Sequence, residues 1–243
     1  DARATGEGLI MAVVPEALNS ARSLTIDLDG TLVDTVLDLH QACNAMLAEL
    51  QLPDRSVEEI GRFVGRGTNT LVRRCLTDDA TGAAPSEACF EQGLAAYLKH
   101  YTRINGSHAK VYPGVKEGLA ALQAAGYPMA VVTNKPVKFT IPLLEATGLA
   151  PYFQAVIGGD STPNKKPAPD PIILACTEMS VSLAHNIHVG DSGNDIQAAQ
   201  AAGCAAVGVT YGYAEGYPIK SEDCDALVAG LDELARMLPG RAH

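Results

Sequence analysis

None of the six cysteines, at positions 43, 75, 89, 176, 204 and 224, pairs at CxxC spacing, and none falls in a zinc-ligand pattern, which excludes a zinc site. They lie in apolar stretches of helical or strand character and read as reduced core thiols of a cytoplasmic protein. No apolar run approaches the length of a membrane span. The first eight residues are polar and acidic and lack the charged-then-apolar order of a signal peptide; Met11 is a candidate natural start, with the residues before it a leader. Basic residues are scarce. With 18 Lys and Arg against 28 Asp and Glu, the formal net charge is −10, which disfavours a nucleic-acid partner. Repeats and low-complexity tracts are absent too.

What is present is an ordinary globular balance, 47% hydrophobic and 19% charged, in 243 residues: enough for one α/β domain carrying a smaller insert. Short β-branched runs at 23–26, 129–133, 155–158, 186–190, 205–209 and 226–228 read as strands. Helical patterns fall between them at 115–125, 137–147, 171–178 and 195–202, three of them stopped by Gly126, Gly148 and Gly203. Strand–helix alternation predicts a doubly wound, Rossmann-like parallel sheet. The segment 36–108 breaks this rhythm. It holds four helical patterns, at 36–50, 57–64, 69–76 and 86–101, and no convincing strand. The expected division is therefore a core of residues 1–35 and 109–243 and a helical domain of residues 36–108. Ligands of open α/β sheets bind at the carboxyl ends of the strands, so this insert is placed to act as a lid.

The run Asp27-Leu28-Asp29-Gly30-Thr31 is the most informative stretch. Two aspartates two apart, at the end of a buried strand, face the same way if the chain stays extended, and clustered anions need a cation or a proton. Asp29-Gly30 is a good hairpin turn, but a helical pattern follows instead of a second strand. A calcium loop is excluded because Leu32 and Asp38 stand where its glycine and bidentate glutamate belong. Further along, Thr133-Asn134 follows one strand, Lys165-Lys166-Pro167 lies in the Gly/Pro-rich loop 158–171, and Asp191-Ser192-Gly193-Asn194-Asp195 follows another strand.

These four stretches, in order, resemble the motifs of the haloacid-dehalogenase-like hydrolase superfamily, over nearly the whole chain from residue 23. The resemblance implies an enzyme that transfers a phosphoryl group to a carboxylate and then to water, with Mg²⁺ as cofactor. Asp27 is then the nucleophile, and Asp29 the acid that protonates the leaving oxygen and later activates water. The family's dehalogenases lack an acid at that position and need no metal, so Asp29 argues for phosphoryl transfer. The metal set implied is the Asp27 carboxylate, the Asp29 backbone carbonyl and Asp191, with Asp195 behind it. Thr133, Asn134 and a lysine bind the phosphoryl group. The lysine that directly precedes proline, Lys166, fits the family pattern, with Lys165 the alternative.

The helical segment carries Gly65-Arg66-Gly67 ahead of a helix, a loop suited to present Arg66 to an anionic tail of the substrate. Together with 111–115, Thr133-Asn134-Lys135-Pro136, 158–160, 166–171 and 211–213, the chain is similar to the bacterial phosphoglycolate phosphatase family. That likeness implies a small phosphorylated metabolite as partner, with no nucleic acid and no membrane, and a monomer or homodimer. The same motifs also accommodate a sugar-phosphate or pyrophosphate hydrolase or a sugar phosphomutase. A non-catalytic binding protein of this fold would have no need of the acid at Asp29.

Overall fold

The structure, a computed structural model, describes residues 16–77 and 81–240; Met11 and the segment before it lie outside them. In chain order the strands are β1 (Ser23–Ile26), β2 (Val33–Asp34), β3 (Lys110–Val111), β4 (Met129–Val132), β5 (Ala155–Ile157), β6 (Asn186–Gly190), β7 (Ala205–Val209) and β8 (Ala226–Val228). The helices are α1 (Glu16–Asn19), α2 (Val36–Glu49), α3 (Val57–Phe63), α4 (Thr68–Leu76), α5 (Glu87–Ile104), α6 (Val115–Ala124), α7 (Val137–Thr147), α8 (Asp170–Glu178), α9 (Gly193–Ala202) and α10 (Leu231–Met237).

Six strands form one parallel sheet in the order β5-β4-β1-β6-β7-β8, with helices on both faces. The alternation within a strand explains the layering. In β4, Met129 and Val131 join the core that β1 shares with α6 and α10, while Ala130 and Val132 pack with α8 and α9. Small residues dominate the second face (Ala175, Ala198, Ala199 and Ala206), which lets its helices lie close. The chain steps from β1 outward to β4 and β5, then returns to β6 on the opposite side. The carboxyl end of β1 therefore lies at a topological switch point, where a crevice opens between outgoing loops.

Helices α2 to α5 build a separate hydrophobic cluster around Met46, Ile60, Val72, Tyr97 and Tyr101. Its helices begin as the sequence indicates: Ser56 accepts from the Glu59 backbone N–H while Glu59 bonds back, a capping box. The chain enters and leaves this unit side by side. β2 and β3 pair antiparallel, Val33 opposite Val111 and Asp34 opposite Lys110. Fully buried Asp38 on α2 fastens the return by accepting from the backbone N–H groups of Gly106 and His108, both at 2.8 Å, and by contacting His108 Nδ1 at 3.0 Å. This ribbon was not expected, because two-residue strands are too short to show a period. α5 also runs to Ile104, a turn beyond the expected stop at 101.

Candidate active site

The site forms where β1, β4 and β6 end. Asp27 follows β1 and is tied to the neighbouring strand by its N–H to the Val189 carbonyl, at 2.9 Å. The chain then turns sharply: the Leu28 carbonyl accepts from Leu32 and Val33 N–H, each at 3.0 Å, and Gly30 takes φ +90°. Gly30 is also required by space, since a Cβ there would fall 2.4 Å from Asp191 Oδ2. Asp191, after β6, is aimed by the Tyr213 N–H at 2.7 Å, the Ala214 N–H at 3.2 Å and the Thr31 hydroxyl at 3.2 Å.

Lys166 crosses from its loop and spends all three ammonium protons inside the site. It donates to the Val132 carbonyl at 2.6 Å and to Asp195 Oδ1 at 2.7 Å, and it pairs with Asp27 Oδ1 at 2.8 Å. The pattern settles which lysine takes this place: Lys166 is buried here, while Lys165 is half-buried with its Nζ beside the Gly65–Gly67 loop. Asp195, at the start of α9, is consumed by protein donors. Its Oδ1 holds Lys166 and meets His188 Nε2 at 3.3 Å, and its Oδ2 accepts from the Ser192 N–H and hydroxyl at 3.1 and 2.7 Å.

Behind this array runs a buried polar chain that sequence reasoning missed. Ser23 donates to Asn186, Asn186 to Thr25, and the Thr25 hydroxyl meets His188 Nδ1 at 3.0 Å. Burial depresses His188, so the ring is neutral near pH 7. A neutral ring facing a carboxylate through Nε2 carries its proton there, leaving Nδ1 to accept from Thr25. The available signal was a histidine in a strand whose every residue is buried.

Charge in the site is unbalanced. Oxygens of Asp27, Asp191 and Asp195 all lie within 4.8 Å of one another, and one ammonium, Lys166, sits among them. Burial pushes Asp27 up to about 7 against the pull of Lys166, with Asp195 and Asp29 adding to the rise. Burial, then Asp195 and Asp27, push Asp191 up to about 8. For Asp195 burial acts upward as well, but Lys166 and His188 outweigh it and hold the group well below the usual carboxylate range. Burial likewise opposes the charge of Lys166, and the two aspartates overcome it, so its ammonium is held above the usual lysine range. Two carboxylates that ionise only with difficulty suit a hard divalent cation; Asp27 and Asp191 keep oxygen capacity for one, whereas both oxygens of Asp195 already accept two donors each.

Asp29 lines a cavity in this cleft together with Asp27, Thr133 and residues of α2, α4 and α5. Asp29 accepts from the Thr35 hydroxyl at 2.6 Å and from Lys135 Nζ through both oxygens, each at 2.9 Å. Lys135 was quoted in a motif but given no role; only the fold shows its reach across to Asp29. Thr133 Oγ1 accepts the Lys135 N–H at 3.2 Å, which leaves its own proton to donate. Asn134 lines the same cavity; its side-chain amide donates to the carbonyls of Gly65 and Lys166 and its oxygen accepts from the Lys166 N–H, so the side chain braces these loops.

Arg66, expected to face an anionic tail of the substrate, is paired with the protein itself in this structure. Its guanidinium lies outside the cavity, half exposed, and pairs at 3.0 Å with Glu215, a residue of the loop after β7. Glu215 also receives Arg74 at 3.4 Å and Asn194 at 3.0 Å. An arginine matched to a carboxylate in this way clamps the helical unit to the sheet.

Strand-end aspartates around a buried lysine, on a six-stranded parallel sheet with a helical insert, define the haloacid dehalogenase-like hydrolases. The chain belongs to that family, whose model matches residues 25–209. More particularly, it is 45% identical over 217 residues to a phosphoglycolate phosphatase of Thiobacillus denitrificans, covering 89% of this chain and 95% of that protein. A phosphoglycolate phosphatase of Nitrosospira multiformis is 43% identical with the same coverage. Among solved structures, a predicted phosphoglycolate phosphatase from Haemophilus somnus superposes with a TM-score of 0.83 at 35% identity, covering 90% of this chain and 98% of that one.

Proposed function

We propose that the protein is a Mg²⁺-dependent cytoplasmic phosphatase that hydrolyses a small phosphomonoester, 2-phosphoglycolate, to the free alcohol and phosphate. One observation carries this reading: Asp27, Asp191 and Asp195 converge within 4.8 Å around Lys166, with Asp29 in the same cleft. The names of the relatives support the substrate.

In this reading Asp27 attacks phosphorus, held in place by its ion pair with Lys166, while the Thr133 hydroxyl donates to a phosphoryl oxygen. The bond from phosphorus to the ester oxygen breaks, and Asp29 gives that oxygen its proton. The aspartyl phosphate is then cleaved by water, whose proton returns to Asp29 as the new bond to phosphorus forms and the bond to Asp27 breaks. Phosphate leaves and both aspartates are restored. Asp27, Asp191 and the Asp29 backbone carbonyl would hold Mg²⁺, which when bound offsets the negative charge gathered on the phosphoryl group. Residues 36–108 act as a cap that keeps bulk water from the acyl phosphate.

A panel of 2-phosphoglycolate, sugar phosphates and pyrophosphate, run with Mg²⁺ and with EDTA, tests the proposal. The expected result is phosphate release from 2-phosphoglycolate above all others, abolished by EDTA. Preference for a sugar phosphate or pyrophosphate would reject the substrate, and turnover in EDTA would reject the metal.

A further inference from the structure

An anionic substrate tail requires a cation, and where the sequence pointed for one, Arg66 and Arg74 are both paired with Glu215. Lys166 is saturated by three acceptors. Among the described residues that line the cavity, Lys135 is the one cation, and hydrogen bonds to Asp29 account for two of its three ammonium protons.

A second observation falls beside it. Tyr101 of α5 also lines the cavity; its buried hydroxyl lies beside the Lys135 ammonium, and its own proton has no acceptor. A buried donor with no acceptor is costly and calls for an explanation. The ring is not free to swing the hydroxyl elsewhere. It stacks on Tyr97, with centroids 5.3 Å apart, and meets the edge of Phe139 at 5.0 Å; the Lys135 ammonium lies 5.0 Å from its centroid.

We propose that Lys135 and the Tyr101 hydroxyl form the subsite for a second anionic group on the substrate, a carboxylate borne on a very short carbon chain, and thereby set its specificity. The inference rests on the phosphatase reading above. Both groups donate, so they select an acceptor, and a buried ammonium selects a charged one. Chain length follows from position. Lys135 is two residues from Thr133 and is bonded to Asp29, the acid that serves the leaving oxygen, so a group held by Lys135 lies one or two carbons from that oxygen. Leu39, Val64 and Leu71 make much of the remaining wall, which leaves Thr68 and Tyr97 as the other side-chain hydroxyls near the space.

The test compares 2-phosphoglycolate with ethyl phosphate, which replaces the carboxylate by a methyl group, in the wild-type protein, Lys135→Met and Tyr101→Phe. The expected wild-type preference for phosphoglycolate in kcat/KM is on the order of 10²-fold or more. Lys135→Met should cut that ratio at least about tenfold, chiefly through KM for the carboxylate substrate. Tyr101→Phe should cut it about threefold to tenfold with little change in melting temperature, because the hydroxyl it removes donates to no protein group. If Lys135→Met fails to fold, Tyr101→Phe carries the test alone. A ratio unchanged in the variants, with both substrates slowed equally, would reduce Lys135 to a support for Asp29 and overturn the subsite. A wild-type protein that hydrolyses neither ester would instead defeat the phosphatase reading, and this inference with it.

Discussion

The sheet end and the helical unit face each other across one cavity and are built on opposite plans. At the sheet end, Asp27, Asp191, Asp195, Lys166 and His188 are buried, charged and bonded to one another, and every ammonium proton of Lys166 has an acceptor. The helical unit turns leucines and tyrosines toward the same space, and the charges it shares with the sheet, Arg66 and Arg74 on Glu215, lie outside the cavity. Chemistry needs fixed charge in a dry place, where electrostatics are strong. Discrimination needs shape and a few placed donors. The two jobs have been given to different layers.

Asp27→Asn breaks the first plan most completely. Activity should fall by about 10⁴-fold or more, the scale of losing a nucleophile that works as part of a unit, while the fold persists because the amide fills the same space. Phosphate-release assays and circular dichroism check this; turnover near the wild-type rate would remove Asp27 as nucleophile. Asp195→Asn should lower Mg²⁺ affinity or kcat by about 10–100-fold and cost about 3 kcal/mol, since Lys166 loses one of two buried counter-charges. Metal titrations and thermal melts report the two effects separately.

The third prediction concerns pH. Asp27 and Asp191 are raised from ordinary carboxylate values to about 7 and about 8. For groups raised on folding, stability is fully present below the unfolded value, near 4, and is lost as pH climbs through 7 to 8. A cation at these carboxylates must displace those protons. The gain in melting temperature on adding Mg²⁺ in place of EDTA should thus grow from pH 6 to pH 8 and level off above. An equal gain at every pH would show that these carboxylates do not hold the ion. The smallest effect is expected at the seam between the layers. Glu215→Gln weakens partly exposed ion pairs and should lower the melting temperature by no more than about 2–4 °C, with less loss at high salt. A large loss would mean that the clamp on the helical unit matters as much as the sheet-end charges.

The same contrast explains what the sequence made legible. Asp27, Asp29, Thr133, Lys166 and Asp191 were readable because each sits at a strand end or beside a proline, where the local pattern fixes its position. Lys135 was not, because its role depends on reaching Asp29, 106 positions away in the chain. The pairing of Arg66 was hidden for a similar reason: its partner Glu215 lies in a loop at positive φ that no periodicity announces. His188 gave a fair hint as a polar residue in a wholly buried strand. The strands were placed within a residue by alternation alone, whereas β2 and β3 were too short to register.

That two-stranded ribbon has a mechanical consequence. Because the chain goes out and comes back through adjacent paired residues, with Asp38 stitching the return, the covalent connections between the insert and the sheet layer lie along one narrow line. A body hung on a single line has one easy direction of travel, like a door on its jamb. Substrate size would then be a question of how far the door swings, while the latch at its free edge is the cluster of arginines on Glu215.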